Sequence, residues 1–436
     1  MGVDDGDDME CTLSNVDEIN SGAMVQQQIS EAHWGKILPT VKNGNVIEFE
    51  IETHDEYVEL NRTNVEIKFR VKKSDGTNLA AGDKISIINN IVGTMFRDID
   101  AVLNTETISH SGSNLAQRAM IEDIVSYGGD ASKGWMQCGG FFKDTAGQMD
   151  NLDPNPAAGA VVNEGLKARA ALIAESKLVT VRGRLHLDIF NQPKPLVKNS
   201  RMVLRFQKND DKYLIMADTD TADKAKVEIA EIFLHVRKCT FTPRWDALVS
   251  GKTAIYTLSR IIQKDFTFPA GGRTIIENNL HNGKLPKRIV LTLVNNVAYD
   301  GDYKRNPFNY QHYHTSEVSL FMNGQLVEGK PLKFDFAQGD ITDGFFNLYQ
   351  NSGQLYRDEG NQIERSDYGE GYTLHVFDLT MSLCSDEFQD PVKRGKLAVK
   401  FTFDRALPES VTLSAYLEFD ATVKINRDGA VLTNFE

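Results

Sequence analysis

The chain has 436 residues, 41% hydrophobic and 25% charged, enough apolar side chain to bury two or three domain cores without disulfides and too much for a disordered polymer. A formal net charge of −13 excludes a protein that coats a phosphate backbone through clustered Lys and Arg. No apolar run approaches the roughly 20 residues of a membrane-spanning helix, and Cys11, Cys138, Cys239 and Cys384 form no CxxC pair, so free thiols in a reducing compartment are expected rather than a zinc site or disulfide framework.

The opening MGVDDGDDMECTLS places an acidic cluster where a secretory signal needs positive charge and then an apolar stretch, so a soluble chain without export is expected. Met1-Gly2 begins like a myristoylation signal, but Gly6 stands where that pattern needs Ser or Thr. Residues 1–40 lack a steady period and are expected to form a mobile arm that orders on assembly.

Beyond residue 40 the dominant period is two. Val46 to Ile51 and Val65 to Val71 alternate apolar and charged side chains, as half-buried strands do. Lys84 to Ile88, Lys177 to Ile189, Arg201 to Phe206 and Val227 to Phe241 complete a first β unit over residues 41–243. Within it Asn61-Arg62-Thr63 is a glycosylation sequon, expected to stay bare in a chain that is not exported. Asn114 to Tyr127 carries Leu115, Met120, Ile121, Ile124 and Val125 at spacings of three and four, and is expected to be a helix with Asn114 as N-cap and Gly128 as stop. Glu164 to Ser176 is a shorter helical pattern. Gly139 to Gly159, rich in Gly, Asp, Asn and Pro, is expected to be a long surface loop facing outward.

A second unit over residues 244–436 repeats the pattern. Thr253 to Ser259, Asp265 to Phe268, Arg273 to Ile276, Arg288 to Val294, Glu317 to Met322, Tyr372 to Asp378, Lys396 to Phe403 and Val411 to Ile425 read as strands parted by turn residues, with Ile341 to Gln350 as a helix. Many short strands in two tandem units of similar length predict an all-β protein of sandwiches or barrels, with helices confined to the connections.

Three patterns could carry chemistry. In Asn306 to Leu326, His312, His314, Glu317 and Gly324 come close to the first histidine motif of the cupins. If the segment were a strand, His312 and His314 would share a face, as metal ligands must. Glu317 follows His314 by three residues, where the cupin motif needs four or five, and the second cupin motif has only His375 as a candidate. Ser250-Gly251-Lys252-Thr253 ends like a phosphate-binding loop, but Asp246 holds the place of its first glycine and a strand, not a helix, follows. Two aromatic groups, Phe308, Tyr310 and Tyr313, then Phe345, Phe346 and Tyr349, lack interleaved basic residues, so packing within or between subunits is expected rather than nucleobase stacking. No catalytic, metal or cofactor-binding residue is assigned.

The chain resembles the double jelly-roll major capsid proteins, or hexons, of Polinton (Maverick) elements and adintoviruses. The resemblance lies in Asn306 to Tyr313, in Val318 to Gly324 with Lys330-Pro331-Leu332, and in Gly371-Tyr372 leading into Phe377 to Thr380. In the first half it lies in Asp98 to Asn104 and in Arg118 to Gly128. It implies two tandem jelly-roll sandwiches, a homotrimeric pseudo-hexagonal capsomer tiling an icosahedral shell, and a single jelly-roll penton protein as partner. It implies no enzyme activity, no cofactor and no direct specific nucleic-acid contact, and it places the protein in the virion capsid after assembly inside the host cell. The loops from Gly139 to Gly159 and from Tyr299 to Thr315 would then make outer or intersubunit contacts. A cupin-like metal-dependent enzyme and a glycan-binding β-sandwich are the rival classes.

Overall fold

A computed structural model describes residues 26, 28–109, 114–218, 225–327, 329–358, 360–381 and 391–435. The N-terminal acidic cluster, the Met1-Gly2 pattern, Cys11 and Cys384 lie outside them. Cys138, exposed, and Cys239, buried, are both free thiols.

The first lobe has eight principal strands: β1 Ile29–Ile37, β2 Val46–Glu52, β3 Tyr57–Lys73, β4 Phe96–Leu103, β5 Glu106–Ser109, β6 Val179–Arg184, β7 Arg201–Lys208 and β8 Ala225–Phe241. They form two antiparallel sheets, ordered β1-β8-β3-β6 and β2-β7-β4-β5. The second lobe has β9 Ala254–Phe268, β10 Thr274–Lys284, β11 Arg288–Asn295, β12 Thr315–Met322, β13 Gln325–Leu326, β14 His375–Asp378, β15 Arg394–Phe403 and β16 Val411–Ile425. Its sheets run β9-β16-β11-β14 and β10-β15-β12-β13, so adding eight to every strand number turns the first lobe into the second. Each lobe is a jelly roll: its first and last strands pair, as do its second and seventh, and the chain folds inward upon itself.

Alternation explains the cores. On β2, Ile47, Phe49 and Ile51 point inward and are buried while Glu48 and Glu50 reach outward to Arg205 and Arg201 on β7. Phe49 meets Phe206 edge to face at 5.3 Å between ring centres. Four helices matter below: α1 Leu115–Ser126, α2 Glu164–Ile173, α3 Pro243–Val249 and α4 Thr342–Asn351. Helix α3 joins the lobes, while α1 and α4 occupy equivalent places, each between the fifth and sixth strands of its lobe.

The structure departs from the sequence expectations in four places. Part of the expected arm, Ile29–Ile37, is strand β1, hydrogen-bonded along β8 from Ile29 opposite Phe241 to Ile37 opposite Leu234. Its side chains lack a period because most of them are exposed on both sides of the strand. The two short strands expected between Thr253 and Phe268 are one, β9, paired residue for residue with β16. Residues 260–264 break the alternation because both faces there are partly covered. The strand expected to run to Ile189 stops at Arg184, and a short 3-10 helix, Asp188–Asn191, follows. Finally, Gly139 to Gly159 is not simply a surface loop: Phe141, Asp144 and Met149 are buried, held in the seam between the lobes.

Candidate functional site

The Asn306 to Leu326 segment turns before it becomes a strand. Tyr313 and His314 adopt left-handed backbone, φ 47° and 55°, and β12 starts only at Thr315, so the histidines do not share a strand face. The His314 amide donates to Nδ1 of His312 at 2.9 Å, and the His312 ring stacks on Phe336 with centres 4.0 Å apart. Burial, then the neighbouring His314, pushes the His312 pKa down to about 4, which leaves the ring neutral. His375 lies buried on β14 among Phe334, Phe401 and Tyr368, and burial lowers its pKa to about 3. Glu317 sits on β12 opposite Lys333 and Thr402 and accepts from the Ser319 hydroxyl at 3.1 Å. Among the described residues no three His, Cys, Asp or Glu side chains form a metal-binding group. Asn323 and Gly324, with φ 53° and 81°, make the tight turn from β12 to β13, a conformation Asn-Gly adopts with least strain.

Ser250 to Thr253 form a turn between α3 and β9, with Gly251 at φ 73°. Asp246, on α3, accepts from the Tyr57 hydroxyl at 2.8 Å and pairs with Lys198 at 2.9 Å, tying the linker helix to the first lobe.

The aromatic motif of this segment fastens one lobe to the other. Phe308 and Tyr310 are fully buried. The Tyr310 hydroxyl donates to Gln117 Oε1 on α1 at 2.9 Å, and Gln117 Nε2 donates to the Pro307 carbonyl at 2.8 Å. Asn114 does not cap α1; its side-chain amide instead donates to Asp265 on β9. At the other end of α1, Gln362 donates its backbone N–H to the Ile124 carbonyl at 3.1 Å and Gln354 its side-chain amide to Val125 at 2.6 Å. The second lobe thus satisfies carbonyls that the helix itself leaves open. Phe345 is half-buried and Phe346 exposed.

Beside α1 lies a buried ion cluster. Arg118 Nε pairs with Glu122 Oε1 at 2.7 Å, one helical turn on, and a terminal guanidinium nitrogen reaches Asp188 at 2.8 Å. His186 stands between two carboxylates, with Nδ1 2.7 Å from Glu122 and Nε2 3.4 Å from Asp123. Arg184 closes the group at 3.2 Å from Asp123. The second lobe joins in: the Tyr416 hydroxyl donates to Glu122 at 3.3 Å and the Ile261 amide to Asp188 at 3.3 Å. Burial disfavours ionised Glu122, but Arg118 and His186 outweigh it and hold its carboxyl far below the usual range. Burial pushes the Asp188 pKa up, with Arg118 offsetting part of the rise. For His186, burial lowers the pKa but the attraction of Asp123 outweighs it, and the net shift is upward. His186, Arg118 and Arg184 thus face Glu122, Asp123 and Asp188, three basic side chains against three acidic ones.

A second knot ties in the Gly139 to Gly159 loop. Arg169, on α2, is completely buried and pairs with Asp144 at 2.8 Å while donating to the carbonyls of Ile87 and Phe142, each at 2.8 Å. Asp144 also accepts from Asn306 of the second lobe at 3.1 Å, and its carbonyl accepts from the Tyr372 hydroxyl at 2.8 Å. Farther along the loop, Asp150 accepts from the Asn306 backbone N–H and the Asn309 side chain, each at 2.7 Å. A polar cleft of 480 Å³, lined in part by Gln148, Asp150, Asn309, Gln311, His312 and Glu370, opens where the two loops meet. The two loops expected to make outer or intersubunit contacts bind each other within the chain. The charges of both knots pair with one another inside the first lobe, and the second lobe joins them through hydrogen bonds from Tyr416, Ile261, Asn306 and Tyr372.

Sequence reasoning missed the ion cluster, though part of its signal was visible. Arg118 and Glu122 stand one turn apart in a helix that carries Leu115, Met120, Ile121, Ile124 and Val125, where a solvated pair would fall on the polar face. Nothing local points to His186 or Asp188 as their partners.

No family model matches the chain. A curated relative, the uncharacterized protein F54H12.2 of Caenorhabditis elegans, is 23% identical over 379 residues, covering 84% of this chain and 87% of that protein. Among solved structures, a chain of the Sputnik virophage structure determined by cryo-electron microscopy superposes with a TM-score of 0.67 at 13% identity, over 96% of this chain and 91% of that one. The mavirus major capsid protein superposes with a TM-score of 0.55 at 11% identity, over 92% and 90% of the two chains. At such identities the likeness concerns the fold, and this protein has the double jelly-roll fold of the mavirus major capsid protein.

Proposed function

We propose that this chain is a major capsid protein, the repeating subunit of an icosahedral shell, and that its role is structural rather than catalytic. The observation that carries the proposal is the pair of jelly rolls with one strand order, joined by buried hydrogen bonds such as Tyr310 to Gln117 and Asn306 to Asp144, in a chain that superposes end to end on a viral capsid protein. A shell subunit needs rigid relative placement of its lobes and extensive outer surface, and this fold supplies both. Three copies would give six similar lobes and so a pseudo-hexagonal capsomer. A single jelly-roll protein would fill the five-fold vertices, and assembly would take place inside the host cell. The motifs that resemble Polinton and adintovirus hexons favour that lineage. The division of the chain falls at α3, between a first jelly roll ending near residue 243 and a second running to residue 436.

Light scattering on the purified protein tests this reading. A trimer has a mass near three times 48.8 kDa, with subunit interfaces on the order of 2,000 Å² or more, as obligate assemblies have. A glycan-binding module would remain a monomer and bind sugar. A cupin-like enzyme would copurify with a transition metal and lose it in H312A/H314A.

A further inference from the structure

The polar cleft where the loops of the two lobes meet has a second hollow beside it. The larger hollow, of 480 Å³, is walled by Gln148 and Asp150 of the first lobe and by Gln311, His312 and Glu370 of the second. The smaller, of 360 Å³, reaches Lys304, Arg305 and Glu409. Asp150, Asn309 and Gln311 line both, so the hollows share a wall. Each volume falls in the range of roughly 300–1,000 Å³ that small-molecule sites occupy.

The walls are held in place by the chain itself. Gly147 donates its N–H to the Glu370 carbonyl at 2.8 Å, and Tyr310 donates its N–H to the Gly371 carbonyl at 2.9 Å. Asp150 is fixed by Asn306 and Asn309, one N–H to each carboxylate oxygen. Walls ordered in advance spare a ligand the cost of ordering them.

What these walls leave over is hydrogen-bonding capacity. Among the described residues the Gln311 and Glu370 side chains have no hydrogen-bond partner. His312 accepts the His314 N–H at Nδ1, so its neutral ring carries the proton on Nε2, and that N–H donates to no described residue. The Asp150 oxygens each keep a lone pair beyond the bond they accept. An amide that donates and accepts, a ring N–H and two carboxylates complement a row of hydroxyl groups, each able to donate once and accept as well. Other ligand classes match poorly. No three described His, Cys, Asp or Glu side chains form a metal-binding group, and Asp150 and Glu370 repel an anion. Met149 is the one large apolar side chain lining the larger hollow, too little for an apolar ligand.

We infer that the paired hollows are a saccharide site, with one sugar ring in the larger, its neighbour in the smaller, and Asp150 and Gln311 between them. Sugar held there touches both lobes, so it should raise the thermal midpoint as well as bind. Such a site lies beyond the shell-subunit reading and does not depend on it.

A printed array of neutral and acidic oligosaccharides, probed with the full chain, tests the site, followed by calorimetric titration of the tightest neutral binder. That binder is expected to raise the thermal midpoint of the wild type and to bind about tenfold or more weakly to Q311A and to E370A. Without sugar both variants should melt as the wild type does, since neither side chain is bonded within the described chain. An array with no neutral binder overturns the inference, as does an affinity unchanged in the Q311A/E370A double variant. A monosaccharide that binds as tightly as its disaccharide overturns the two-ring arrangement. Calcium chloride or sodium phosphate raising the midpoint in place of sugar, with the effect lost in the same variants, overturns the ligand class. Light scattering on the same samples separates the two readings: sugar bound by a trimer supports both, and sugar bound by a monomer supports the site while overturning the shell subunit.

Discussion

His186 shows how one side chain couples stability to pH. Its ring has a carboxylate at each nitrogen, so the doubly protonated form is the one its surroundings hold. Glu122, Asp123, Arg118, Arg184 and the Tyr416 hydroxyl are the polar groups around it. A His pKa raised on folding stabilises the fold fully below the unfolded value of 6.5, and that contribution is lost as pH rises through the folded value. The thermal midpoint of the wild type should therefore fall on going from pH 6 toward pH 9, and the slope should flatten in H186Q; equal slopes would refute the coupling. Glu122 works in the opposite direction, its contribution present above 4.5 and lost only as pH falls through its much lower folded value. Replacing it by Gln leaves Arg118 and His186 short of a buried partner, and should cost about 3–5 kcal/mol in denaturant unfolding. Little of this was legible beforehand. An i,i+4 pair on an apolar helix hints at buried charge, but His186 and Asp188 arrive from a segment more than sixty residues away, and only the fold brings them there.

At the scale of elements, alternation carried the inference where one face of a strand is solvated and failed where both faces are covered or both are free. Strand β16 matches its sequence expectation, Val411 to Ile425, while β9 was divided in two because the first lobe packs against its middle. Strand β1 carries no period in its sequence because it is exposed on both sides. The loop from Gly139 to Gly159 has a loop's composition, yet Arg169 and Asn163 of the α2 region hold Asp144 in the interior. Close packing there depends on Gly165. A Cβ at that position would lie 2.5 Å from the Lys143 carbonyl oxygen, and backbone cannot swing aside as a side-chain end can. Gly to Ala within a helix ordinarily stabilises by roughly 0.5–1 kcal/mol. At Gly165 the sign should reverse, with G165A losing about 1–3 kcal/mol in chemical denaturation; a stabilised variant would show that the loop is free to move. The cupin-like spacing of His312 and His314 misled for a similar reason, since motif spacing assumes a strand and the backbone there is left-handed.

Across the whole molecule, the seam between the lobes is made of hydrogen bonds, from Tyr416 and Ile261 to the ion cluster and from Gln362 and Gln354 to the end of α1, that would be lost if the lobes parted. Unfolding should accordingly be a single cooperative transition, with fluorescence of Trp245 on the linker helix and far-ultraviolet dichroism changing together; two separated transitions would mean that the lobes are independent. Tandem β units and the overall class were legible from period and punctuation. How the halves meet was not, because the seam is built from contacts between distant segments that carry no shared local pattern. The central claim, that the chain is a shell subunit of six-lobed trimers, meets its most direct test in electron microscopy of the purified protein. Class averages should show three-fold particles with six lobes around the axis, alone or tiled into closed shells; a field of single two-lobed particles at every concentration examined would contradict it.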